Sequence, residues 1–140
     1  MELIKTLTRN DVGETGGHQS GVTIPLSVAK GGFFPSLDVT ELNPREVLDG
    51  YSSETGTNLR MNYIYYNGKL HGVSTRNEYR LTGIAPFLRV VVAREGDKLI
   101  FTRHGDMRYE VRHESKSSVT LGEEIVITLT KDWSTRERRK

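Results

Sequence analysis

The residues of this chain best suited to chemistry lie between Ser74 and Arg80, in the run S-T-R-N-E-Y-R. An extended backbone alternates its side chains between two faces, so Arg76, Glu78 and Arg80 would project together while Tyr79 and Leu81 turn away. A guanidinium fork matches the O6 and N7 acceptors of guanine, and a carboxylate accepts from the N4 amine of cytosine. An Arg/Glu/Arg row at a period of two is therefore able to read consecutive G·C pairs in a major groove. The competing reading is a solvated strand face on which Glu78 offsets its arginine neighbours.

A second stretch with polar chemistry runs from Arg9 to Gly21, R-N-D-V-G-E-T-G-G-H-Q-S-G. Its four glycines and small polar residues rule out a regular element and predict an exposed arm or a flexible connector. Backbone amides in such an arm can meet phosphates, and Arg9, Asn10, Asp11, His18 and Gln19 can meet base edges. The segment is not a nucleotide-binding P-loop, because G-E-T-G-G-H lacks the terminal Gly-Lys-Ser/Thr.

Catalytic signatures are sparse. His18, His71, His104 and His113 are far apart, with none of the spacing of a metal site. There is no G-x-S-x-G elbow and no cysteine nucleophile, and Glu123, Glu124 and Lys131 make a poor nuclease set. The sequence therefore predicts a chain without catalytic residues, metal or cofactor. Charge discriminates less than the net +2 suggests. The last ten residues hold five Lys/Arg and two Asp/Glu, leaving 15 basic against 16 acidic side chains in the body. Residues 69–94 nonetheless carry Lys69, Arg76, Arg80, Arg89 and Arg94 against Glu78 alone, a basic patch on a near-neutral body.

The elements that must position these residues read mostly as strands. A chain of 140 residues suits one domain with one core. The absence of cysteine excludes disulfides and fits a reducing cytosol. No apolar run reaches the roughly 18 residues of a membrane helix, and no signal-peptide pattern opens the chain. Residues 1–8 and 21–26 read as strands, with irregular covering structure over 27–49 and one helical turn at 44–48. Asn67-Gly68 between LRMNYIYY and KLHGV predicts a type I′ hairpin. PFLRVVVAR, KLIFTRH, MRYEVRHE and EEIVITLTK read as four further strands with turns at Glu95-Gly96-Asp97 and Gly105-Asp106. Strands at intervals of roughly ten residues predict an antiparallel barrel or sandwich. Residues 134–140 read as a basic tail without periodicity, or the start of a linker, after a domain spanning 1–133.

Several of these runs resemble a known family. N-D-V-G-E-T-G-G-H-Q-S-G with Ile24-Pro25, then F-F-P-S-L, E-L-N-P, I-Y-Y-N and T-R-N-E-Y-R-L-T, recur in order over about residues 5–83. In this they are similar to the N-terminal effector domain of EcoRII-type restriction endonucleases. The resemblance implies an all-β fold with minor α, an antiparallel DNA-binding pseudobarrel related to that of plant transcription factors, which grips duplex DNA with two arms. It implies a non-catalytic effector that reads a CC(A/T)GG-like site and stimulates a covalently linked nuclease domain elsewhere, in a bacterial cytosol.

Residue by residue, the resemblance places Asn10, Asp11 and His18 in one arm and Arg76, Glu78 and Arg80 in the base-reading row of the other. Thr23, Ser74, Thr75, Asn77 and Tyr79 fall within the same contact set, with Lys69 as a phosphate contact. Ser74 and Tyr79 stand where a relative carries lysines, and Thr23 where it carries tyrosine. Fewer cations imply fewer phosphate contacts and a shallower salt dependence. The alternatives are an autonomous metal-dependent nuclease and a protein-interaction barrel.

Overall fold

The computed structural model describes residues 2–13, 21–116, 124–130 and 132–138, with the backbone alone at 124–128 and 138. Its strands are β1 (Glu2–Thr6), β2 (Val22–Ile24), β3 (Arg45–Ser52), β4 (Thr57–Tyr66), β5 (Glu78–Thr82), β6 (Lys98–Gly105), β7 (Arg108–Glu114), β8 (Glu124–Thr130) and β9 (Trp133–Arg138). Two short helices, α1 (Leu26–Ala29) and α2 (Ala85–Val90), interrupt them. The expected all-β architecture with minor α is thus what forms. All nine strands join one curled sheet in the order β2-β5-β4-β3-β7-β6-β1-β9-β8. Neighbours run antiparallel except β3 and β7, which pair in parallel through Asp49↔Arg108 to Tyr51↔Glu110.

The core lies within the curl. Leu3, Leu48, Met61, Tyr63, Leu81, Leu99, Phe101 and Val111 point into it at alternate strand positions. Phe34 stacks on Tyr63 at 4.9 Å between ring centroids, which ties the 27–44 segment to the inner face. Among the described residues no helix is long and apolar enough to cross a membrane.

Four local expectations fail, each for a physical reason. REVLDGYS is strand β3 rather than part of a cover, and its inward positions after Leu48 are Gly50 and Ser52, so its alternation carries little apolar signal. Asn67-Gly68 makes no type I′ turn, which needs positive φ at both residues, and neither has it. Instead Asn67 is fully buried, its amide donating to the Val39 and Glu41 carbonyls at 3.3 and 2.7 Å. The hairpin partner of β4 is therefore β5, across a loop of residues 67–77.

PFLRVVVAR is not a strand: its first five residues belong to helix α2, with Pro86 in the first turn, where its missing N–H leaves no intrahelical bond unmade. Phe87 and Leu88 are buried while Val90 and Val92 face solvent. Residues 134–138, expected without regular structure, form most of β9. They pair with β1 through Glu2↔Arg136 and Leu3↔Thr135. Arg136 is 1% exposed and meets Glu2 at 2.8 Å and Glu114 at 3.2 Å. Glu2 also pairs with Arg112, so one ionic cluster clamps β1, β7 and β9.

Candidate functional site

Three strands lay the predicted row on the outer face of the sheet. β5 pairs with β2 through Thr23↔Arg80 and with β4 through Ile64↔Arg80 and Tyr66↔Glu78. Pairing in register places Thr23, Glu78 and Arg80 on one face. Tyr79 faces the opposite way, stacked on Tyr65 at 4.1 Å and near Tyr63 at 5.8 Å. Burial, with the neighbouring Tyr65, raises the Tyr79 phenol above its usual range. That ring buttresses the sheet from within and lies away from the row. Arg76 precedes the strand and is exposed in the loop.

Glu78 and Arg80 are locked together and to β2. Arg80 Nη1 donates to Glu78 Oε1 at 3.2 Å and to Thr23 Oγ1 at 3.1 Å, and Nη2 donates to the Gly21 carbonyl at 3.2 Å. Thr23 Oγ1 in turn donates to Glu78 Oε1 at 3.0 Å. Arg80 is only 7% exposed, so this satisfaction of its fork is what makes the charge tolerable there. Gly21 allows the approach: its φ is +73°, and a Cβ would stand 1.9 Å from the Leu81 carbonyl oxygen.

Arg80 stands at the junction of two hollows. One, of about 560 Å³, is lined by Tyr66, Val73, Ser74, Arg76, Glu78 and Arg80. The other, of about 260 Å³, brings Asn10, Asp11 and Thr23 together with Arg80, Asp132 and Trp133. Residues far apart in sequence are thereby joined along one surface. The 67–77 loop that carries Arg76 is held by its own backbone. The Val73 and Ser74 amides both donate to the Gly68 carbonyl, Lys69 N–H donates to the Arg76 carbonyl, and Leu70 N–H donates to Asn77 Oδ1 at 3.0 Å. Asn77 thus shapes the loop, while Lys69, Thr75 and Arg76 are exposed on it.

The first arm is described only in part; His18 and Gln19 lie outside the described residues. Asp11 is turned inward: its carboxylate accepts from Thr8 N–H at 2.9 Å and pairs with buried Lys5 at 3.2 Å. Its geometry is that of an anchor for the root of the arm. Arg9 is exposed and 3.8 Å from Glu95.

The sequence pattern did not single out a hollow of about 700 Å³ between β3, β4 and β7. Its walls include Asp49, Tyr51, Asn58, Arg60, His104 and Arg108. Cross-strand register alone assembles it, through Asp49↔Arg60 and Asp49↔Arg108. Local sequence carries no signal for such a meeting. Among the described residues Arg60 and Arg108 enter no ion pair, and no group of three or more His, Asp or Glu is placed to hold a metal.

The profile of the family described as "Restriction endonuclease EcoRII, N-terminal" matches residues 1–103. The type II restriction enzyme EcoRII of Escherichia coli is 44% identical over 81 residues, which cover 56% of this chain and 20% of that enzyme. The matched part is thus about a fifth of its relative's length. In fold, the chain is similar to the N-terminal domain of Helicobacter pylori LlaJI.R1, with a TM-score of 0.51 at 12% identity over 84% of this chain and 83% of that one.

Proposed function

This chain belongs to the family of restriction endonuclease EcoRII N-terminal domains, and we propose that it binds duplex DNA at a short G·C-containing sequence as the effector module of a restriction enzyme. In this reading the exposed guanidinium of Arg76 and the carboxylate of Glu78 address guanine and cytosine edges, with Arg80 beside them. The loop at 67–77 and the arm at 9–21 close on the duplex from two sides. Lys69, Ser74 and Thr75 meet phosphates and sugars, which orient the protein without specifying sequence. The site resembles CC(A/T)GG. Binding there increases cleavage by a covalently linked nuclease domain at another copy, a coupling between two sites. The reading requires no cofactor in this domain and places it in a bacterial cytosol.

The observation that carries it is the junction at Arg80. Asn10 and Asp11, at the root of the first predicted arm, line one hollow with Thr23 and Arg80, and Arg76 and Glu78 line the other hollow with Arg80.

Selection of bound molecules from a pool of randomised duplexes tests the proposal. One enriched G·C-containing motif is expected, bound by the purified domain in a low-salt gel-shift assay. Enrichment of no motif, or magnesium-dependent cleavage of plasmid by the rigorously purified chain, would overturn it.

A further inference from the structure

The Thr23 side chain bonds to two of the three charged members of the row, Glu78 and Arg80. Its hydroxyl donates to Glu78 Oε1 at 3.0 Å and accepts from Arg80 Nη1 at 3.1 Å, while Arg80 itself holds Glu78 Oε1 at 3.2 Å. These three contacts close a ring that spans β2 and β5. Because two of them end on Oε1, that oxygen has little acceptor capacity left for a base, whereas Oε2 accepts no hydrogen bond among the described residues. A carboxylate on a flexible two-carbon stem is thereby fixed with one oxygen inward and the other available. Fixing it before binding removes the ordering cost that a mobile glutamate would incur on contact.

We propose that Thr23 is a positioning residue for sequence discrimination: its hydroxyl, seated on Arg80, aims the Glu78 carboxylate at the base edge. This rests on the DNA-reading assignment above. Thr23 lies on edge strand β2 with its side chain exposed, outside the apolar core. Valine there has the same shape and a comparable strand preference but cannot close the ring. Serine restores the hydroxyl.

The experiment measures binding of the whole chain, by fluorescence anisotropy, to the duplex obtained by selection and to duplexes changed at single G·C pairs. The proteins compared are wild type, Thr23→Val, Thr23→Ala, Thr23→Ser, Glu78→Gln and the double variant T23V/E78Q, each checked by thermal unfolding. Thr23→Val is expected to lower discrimination about tenfold at the same base pair as Glu78→Gln, within the range of one lost base contact. Thr23→Ser should stay within about twofold of wild type, and T23V/E78Q should match Glu78→Gln alone, as for two groups acting through one contact. Thr23→Ala serves as the readout should Thr23→Val fold poorly. Wild-type discrimination by Thr23→Val or Thr23→Ala overturns the inference, as do losses that multiply in the double variant. A wild-type chain with no preference among the duplexes would instead defeat the DNA-reading assignment beneath it.

Discussion

Asn43 and Asn67 bind each other's backbone. The amide N–H of Asn43 donates to Asn67 Oδ1 at 2.7 Å, and the amide N–H of Asn67 donates to Asn43 Oδ1 at 3.2 Å. With the Val39 and Glu41 carbonyls also held by its side-chain nitrogen, Asn67 fastens the base of the 67–77 loop to the segment before β3. Alanine at position 67 removes the acceptor of the Asn43 N–H and the donor to the Val39 and Glu41 carbonyls, at a position that is itself fully buried. The expected loss is about 2–3 kcal/mol, read as a lower urea midpoint with unchanged slope.

Arg136 sets the stability of the C-terminal strand. Its removal leaves Glu2 and Glu114 facing each other without the guanidinium that joined them. Burial alone would lower its pKa, but the hydrogen bonds it donates to the Glu114 and Glu2 carboxylates, and their charges, outweigh that and raise it. Arg136→Ala should cost about 3–5 kcal/mol in chemical unfolding, the range for breaking a buried pair by deleting one partner.

Acid should weaken the fold through Asp97. Burial pushes this carboxyl upward, yet hydrogen bonds from the Lys116 amide, the His113 ring and the Arg94 amide prevail and hold it below the usual carboxylate range. A folded-state pKa below the unfolded one stabilises the protein above pH ~4, and the benefit is lost as pH falls through the folded value. Stability of the wild-type chain, followed by unfolding midpoints from pH 5 down to 2, should therefore decline. Asp97→Asn should start lower at pH 5 and decline less steeply.

Backbone conformation makes a pair of opposite predictions. Gly83 has φ +91°, and a Cβ there would stand 2.2 Å from the Arg60 carbonyl oxygen, so Gly83→Ala should destabilise by about 2–3 kcal/mol. Val92 sits at φ +53° just past α2, where its N–H reaches the Arg89 carbonyl and that of Ala93 reaches Leu88. This is a Schellman closure with a β-branched residue where glycine is usual. Val92→Gly should raise stability by about 1 kcal/mol, seen as a higher melting temperature.

For the proposed function, Arg76→Ala should cost about 1–3 kcal/mol on the selected duplex and relax preference at one base pair. Lys69→Ala should weaken all duplexes alike and reduce the salt slope by about 1. Titrations across salt concentrations on matched and mismatched duplexes separate the two. Equal loss on every sequence for Arg76→Ala would reduce its part to phosphate contact.

Short apolar runs bounded by turn signals marked β1, β6, β7 and β8 in the sequence. The two-residue period of a strand put Glu78 and Arg80 on one face and Tyr79 on the other. Elsewhere local pattern was silent or misleading. PFLRVV is too short an apolar run to separate strand from helix, and Gly50 and Ser52 hide the inward face of β3. Asn67-Gly68 signals a tight turn until distant carbonyls capture the Asn67 amide. Residues 134–138 carry charge that reads as solvated, yet Arg136 is buried because Glu2 and Glu114 arrive from β1 and β7. At the site, sequence supplied the charged row, whereas tertiary structure decided that Arg80 is seated on Thr23 and Gly21, and Asp11 on Lys5. Side-chain type and period are local properties, whereas the partner that satisfies a buried charge or amide is chosen by contacts between strands remote in the chain.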